Sequence, residues 1–206
     1  MLAHCTVAAL AGAAGGALGA ARQLILIVGD SLSAEYGLAR GTGWVALLEQ
    51  RLAREKIAAT VVNASISGDT TSGGLARLAP LLKQHQPTHV VIELGGNDAL
   101  RGLPLAGTRE NLTKMAAAAR QAGAKVVIVG MQVPPNYGRK YGEEFAALFA
   151  DVAKAQGAAL VPFLLKGVAD APDPVALFQP DRIHPLAAAH PRLLENVWPV
   201  LRPLLK

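Results

Sequence analysis

Leu24-Ile25-Leu26-Ile27-Val28-Gly29-Asp30-Ser31-Leu32 is a run of five apolar residues that stops abruptly at a glycine and two polar residues. A strand covered by helices on both faces shows a continuous apolar run, whereas a strand with one wet face alternates apolar and polar residues. Residues 24–28 are therefore read as a strand of a buried parallel sheet. Similar runs at 60–63, 89–93, 126–131 and 159–162 give four more strands. The stretches between them carry helical spacing. Trp44, Leu48 and Leu52, with Leu47, form one apolar stripe that leaves Glu49, Arg51 and Arg54 elsewhere. Comparable patterns predict helices over 72–84, 108–121, 143–156 and about 187–204, where Pro191 and Pro199 leave the limits of the last one open. Five strands alternating with helices predict a doubly wound α/β domain.

The chain has 206 residues, enough for one domain with a real core. Hydrophobic residues make up 51% and charged residues 17%, which excludes a disordered chain, and no uninterrupted apolar stretch is long enough to span a membrane. The net charge of +5 is spread along the sequence without a Lys/Arg stripe, so no nucleic-acid partner is expected. The single cysteine, Cys5, excludes an intrachain disulfide and a cysteine-based metal site. Residues 1–21 contain no Asp, Glu, Lys or Arg. Residues 7–18 have the length of a signal h-region, and Ala17, Gly19, Ala20 and Ala21 supply small residues for cleavage. A signal peptide at 1–21 followed by one domain at 22–206 is the expected organisation. A disordered or mis-started N-terminus is the alternative, since only His4 is present to charge the leader.

Open parallel sheets bind ligands beyond the carboxyl ends of their strands. That rule selects residues 29–31, 65–68, 95–98 and 132–137. Ser31, at a strand-to-helix turn, has three readings: a nucleophile, a helix N-cap, or part of a phosphate-binding turn, although the glycine spacing fits neither a dinucleotide loop nor a P-loop. A nucleophilic serine needs an adjacent base to take its proton. Of five histidines, His4 lies in the leader, His85 and His89 are separated by the helix-breaking Pro87, and His190 has no neighbouring acid. His184 has Asp181 three residues before it, close enough to hold the imidazole tautomer and stabilise its cation; a plain surface pair is the other reading. Donors for a developing oxyanion can come from the amides of Ser31 and Gly68 and the side chain of Asn97. Each of the latter two equally fits an ordinary turn.

Taken together, Gly29-Asp30-Ser31-Leu32, Gly68 within Asn63-Ala64-Ser65-Ile66-Ser67-Gly68-Asp69-Thr70, Glu93-Leu94-Gly95-Gly96-Asn97-Asp98, and Asp181-Arg182-Ile183-His184 resemble the GDSL/SGNH hydrolase family, with all four blocks in order. The likeness extends to Leu82-Lys83-Gln84-His85-Gln86-Pro87 and Asn136-Tyr137-Gly138-Arg139, as in the bacterial thioesterase, arylesterase and lysophospholipase branch. The resemblance implies a three-layer α/β/α sandwich with a flavodoxin-like five-stranded parallel sheet. It implies Ser31 as nucleophile, His184 as base then acid, Asp181 as its orienting carboxylate, and Ser31, Gly68 and Asn97 as the oxyanion hole. It also implies no metal or organic cofactor and a periplasmic or secreted address.

The expected partner is a small acyl ester or thioester, such as an aryl ester, an acyl-CoA or a lysophospholipid, with no stable membrane insertion and a monomeric chain. Leu100, Leu103, Leu105, Val133, Pro134 and Pro135 offer an apolar wall for an acyl chain. Routine loop packing explains them as well. A carbohydrate deacetylase uses the same catalytic set, but 4% aromatic content provides few platforms for sugar rings. A binding module without catalysis is the remaining alternative.

Overall fold

The computed structural model describes residues 23–206; the expected signal peptide, with Cys5, lies outside the described residues. Along the chain run β1 (Gln23–Gly29), α1 (Trp44–Arg54), β2 (Ala59–Asn63), α2 (Thr71–His85), β3 (His89–Glu93), α3 (Gly96–Leu100), α4 (Leu105–Gln121), β4 (Lys125–Val129), α5 (Arg139–Gln156), β5 (Ala159–Val161) and α6 (His190–Leu201). The strands form one parallel sheet in the order β2-β1-β3-β4-β5.

The alternating side-chain directions of a strand divide its apolar residues between two cores. Leu26 and Val28 of β1, with Val90 and Ile92 of β3, join the core built with α2, α4 and α5. Ile25 and Ile27, with Val91 of β3 and Val127 and Val129 of β4, join the core built with α1 and α6. The result is the three-layer α/β/α arrangement expected from unbroken apolar runs. Packing, rather than propensity, holds the helices. Pro80 lies inside α2 and Pro199 inside α6, each at a cost of about 3 kcal/mol. α6 buries Leu193, Leu194, Val197, Trp198 and Leu201, and at about 1.5–3 kcal/mol for each fully buried side chain that burial outweighs the proline.

Several boundaries differ from the sequence reading for physical reasons. β5 ends at Val161 because Pro162 has no N–H for the ladder, and β4 then ends at its partner Val129 rather than at 131. The last helix is three pieces: a 3-10 turn at Ala187–Ala189, α6 with Pro191 at its start where the missing N–H costs nothing, and a 3-10 turn at Arg202–Leu205. The long connection at 162–186 contains one 3-10 turn, Val175–Leu177.

From β1 the chain runs to β2 on one side and then crosses to β3 on the other. The carboxyl ends of β1 and β3 therefore flank the point where the strand order reverses. Gly29 pairs with Glu93 at that end, so the residues just beyond each are brought together.

Candidate active site

After Gly29 the chain enters a series of turns, and α1 begins only at Trp44. The N-cap of α1 is Gly43, not Ser31, and Asp30 closes the first turn: its carbonyl accepts the amides of Ser33 and Ala34 at 3.2 and 2.9 Å, and its Oδ1 accepts the Leu32 amide at 3.0 Å. The Ser31 hydroxyl is thus released from the N-cap role and meets Nε2 of His184 at 2.8 Å. Only glycine fits at 29. A Cβ there would lie 2.7 Å from Oε2 of Glu93 and 2.8 Å from Oγ of Ser33.

His184 arrives from a small closed loop. Oδ1 of Asp181 accepts the amides of Ile183 and His184 at 2.9 and 3.0 Å, while Oδ2 lies 2.7 Å from Nδ1 of the ring. A carboxylate only accepts, so Nδ1 carries the proton and Nε2 is left to accept from the Ser31 hydroxyl. Burial works to raise the Asp181 carboxyl, but the bonds from the His184 ring and the two amides outweigh it and hold it down at about 2. Gln179 closes the loop at its base: its amide donates to His184 O at 2.7 Å, and its Nε2 donates to Tyr36 O at 2.9 Å and Pro185 O at 3.2 Å. The Tyr36 ring lies against the imidazole with centroids 4.4 Å apart.

The third group comes from the end of β3. Asn97 is the second residue of α3, and its Nδ2 donates one proton to Oδ2 of Asp30 at 3.0 Å, which aims the carboxamide and leaves its second N–H without a partner among the described residues. Gly68 sits in the loop before α2 with φ of +79°, a conformation that admits glycine readily and other residues only with strain. Arg101 braces that loop by donating from Nη2 to Gly68 O at 2.7 Å. Among the described residues the amides of Ser31 and Gly68 have no protein acceptor. Next door, the Asp98 side chain turns away from Asn97 and accepts the amide and hydroxyl of Thr71 at the start of α2.

Two buried carboxyls lie beneath the turn. Burial raises Asp30 to about 6, with the Leu32 amide, the Asn97 carboxamide and His184 opposing the rise and Asp69 adding to it. Glu93 has no exposed surface, and burial together with Asp30 pushes its carboxyl well above the usual range.

Ser31, Asp181 and His184 are therefore joined in one hydrogen-bonded chain, and Asn97 meets it through Asp30. The expected apolar wall is open: Leu100 and Leu103 are exposed, Pro134 is exposed, and Val133 is half-buried against the α2/α4/α5 core. His190 is buried and structural, its Nδ1 accepting the Trp44 amide at 3.0 Å. His89 is likewise structural, with Nε2 bonded to Leu204 O at 2.9 Å. Among the described residues no group of three His, Cys, Asp or Glu side chains is arranged to hold a metal. The sequence reading missed Asp30, Glu93, Ser33, Tyr36 and Gln179; a glutamate closing an otherwise apolar strand was the available signal for one of them.

The GDSL-like lipase/acylhydrolase family model matches residues 27–192. The chain is 56% identical over 186 residues to esterase TesA of Pseudomonas aeruginosa, covering 90% of this chain and 91% of that protein. It is 41% identical to thioesterase 1/protease 1/lysophospholipase L1 of Escherichia coli K12, covering 90% and 86%. A crystal structure of TesA superposes with a TM-score of 0.85 at 55% identity, covering 88% of this chain and 99% of that one. These matches, over a sheet that brings a serine, a histidine and an aspartate into line, place the chain among hydrolases, and it belongs to the GDSL-like lipase/acylhydrolase family.

Proposed function

We propose that the protein hydrolyses carboxylic esters and thioesters through an acyl-enzyme on Ser31. The observation that carries this reading is the unbroken chain from Asp181 Oδ2 to His184 at 2.7 Å and from His184 to Ser31 Oγ at 2.8 Å. Ser31 Oγ attacks the acyl carbon while Nε2 of His184 takes its proton, and the low-lying Asp181 carboxylate stabilises the imidazolium. The negative charge that develops on the carbonyl oxygen meets the amides of Ser31 and Gly68 and the free N–H of Asn97. His184 then returns the proton to the departing alcohol or thiol. Water, deprotonated by the same imidazole, releases the carboxylic acid. The proposed acting unit is the monomer.

The substrates proposed are aryl esters, acyl-CoA and lysophospholipids, by likeness to the relatives' names, with Leu100, Leu103, Val133 and Pro134 as an open wall for the acyl chain. Turnover of p-nitrophenyl esters and acyl-CoA, with none of an acetylated sugar, is the expected result of a substrate panel. Preferential release of acetate from the sugar would contradict it. We further propose that 1–21 directs export to the periplasm or medium and that the domain begins at 22. Amino-terminal sequencing of exported protein should start between residues 20 and 23, and an intact Met1 would refute export by cleavage.

A further inference from the structure

We propose that Glu93 is a positioning residue for the nucleophile turn: from the end of β3 its carboxyl holds the Asp30 amide and the Ser33 hydroxyl, and through them sets Ser31 against Asn97. The proposal rests on the acyl-enzyme reading above. Oε2 of Glu93 accepts the Ser33 hydroxyl at 2.6 Å and the Asp30 amide at 3.3 Å, immediately before and after Ser31 and Leu32. The Ser33 hydroxyl in turn accepts Nε1 of Trp44 at 3.2 Å, and the Ser33 carbonyl accepts Nδ2 of Asn63 at 2.7 Å. Contacts from β3, α1 and β2 therefore converge on the residue two positions past the nucleophile. The strand partner Gly29 has no side chain, and the carboxyl occupies the space a Cβ would need.

A buried carboxyl is an expensive way to end a strand of His, Val, Val and Ile, because an apolar side chain there would carry no desolvation cost. The other oxygen, Oε1, is buried and has no partner among the described residues, so the group does not complete a polar network of its own there. Its contacts serve the turn alone. Burial and the neighbouring Asp30 push the Glu93 carboxyl well above the usual carboxylate range, and Oε2 is the oxygen that accepts the two donors of the turn. The groups facing the pair are Asn97 of α3, Trp44 of α1, Asp69 of the loop before α2, and His184. Asp30 is in turn the group to which Asn97 is tied. Glu93 touches neither substrate nor reacting atoms; it acts through Asp30 and Ser33.

The test compares Glu93→Ala, Glu93→Gln and Ser33→Ala with the wild type for kcat and KM on p-nitrophenyl butyrate, for the rate of fluorophosphonate labelling, and for melting temperature. A carboxyl is matched in shape by a carboxamide, whose oxygen can accept both donors. The expected result is a fall of about tenfold or more in kcat and labelling rate for Glu93→Ala, with KM little changed, and recovery of most of that loss in Glu93→Gln. Ser33→Ala removes one hydroxyl without opening a large cavity and keeps the test alive if Glu93→Ala does not fold; it should lower kcat several-fold at constant KM. Wild-type kcat per labelled site in Glu93→Ala or Ser33→Ala, whatever the melting temperature, overturns the proposal. So does a Glu93→Gln protein no better than Glu93→Ala. Ser31→Ala run alongside keeps the two readings apart, because loss of labelling there supports the acyl-enzyme independently of what Glu93 does.

Discussion

Replacing Asp30 by asparagine should stabilise the fold increasingly as the pH rises while impairing turnover. The carboxyl moves from its ordinary 3.8 to about 6 because it is buried, which at about 1.4 kcal/mol per pH unit amounts to about 3 kcal/mol. A folded carboxyl that holds its proton more tightly than the unfolded one contributes stability that is fully present below about pH 3.8 and lost as the pH rises through about 6. Asparagine does not titrate. The stability of Asp30→Asn relative to wild type should therefore increase by about 2 kcal/mol between pH 4 and pH 7, the remainder of the effect lying below pH 4. Set against this, asparagine has one acceptor oxygen where the carboxylate served both the Leu32 amide and Asn97. One donor loses its partner, at about 1–3 kcal/mol independent of pH. With Asn97 released, kcat should fall about ten- to a hundredfold, less than deletion of an oxyanion donor. Urea denaturation at pH 4, 5, 6 and 7, with kcat on the same preparations, measures both. A stability difference that does not change with pH would show that the Asp30 carboxyl is not raised by burial, and a wild-type kcat would show that Asn97 does not depend on it.

Asn97→Ala should lower kcat by about 10²–10³ with KM nearly constant, because the donor acts on charge that exists only in the transition state; wild-type kcat with a lower melting temperature would make Asn97 a turn residue only. His184→Ala should lose several orders of magnitude of kcat, whereas His190→Ala, which leaves the Trp44 amide buried without an acceptor, should lose about 1–3 kcal/mol of stability and keep its kcat per folded molecule. Equal kinetic losses in both would contradict that division. Arg182 holds φ of +60° between Asp181 and His184, so Arg182→Gly should gain up to about 1–2 kcal/mol in denaturant titration by relieving left-handed strain, offset in part by the entropy glycine gains on unfolding. A loss of stability would count against strain at that position.

The sheet was legible because five apolar runs could bury both faces only under helices, and the division of β1 between two cores follows from side-chain alternation alone. What lay hidden was short or non-local. α3 spans five residues, too few to show a helical period, and its start at Gly96 reads as a glycine turn. Pairing Asp181 with His184 needed only three residues of separation, so the sequence exposed it. Asp30 to Asn97 and Glu93 to Ser33 are 67 and 60 residues apart, and no local pattern announces such contacts. Gln179 was invisible for another reason: its role is to tie the Tyr36 loop to Pro185, 143 residues from one partner and six from the other. The apolar wall was read as a strand-end set, and no local pattern in the sequence indicates that Leu100 and Leu103 remain exposed.

Activation of Ser31 by His184 is open to a direct test by covalent labelling. Wild type, Ser31→Ala and His184→Ala proteins are treated with a fluorophosphonate, digested, and the modified peptide is read by mass spectrometry. The expected result is a single phosphonylated site at Ser31 in the wild type, none in Ser31→Ala, and labelling slowed by orders of magnitude in His184→Ala, since the free hydroxyl is a weak nucleophile without its base. Labelling of Ser31→Ala at another residue, or undiminished labelling of His184→Ala, would contradict it.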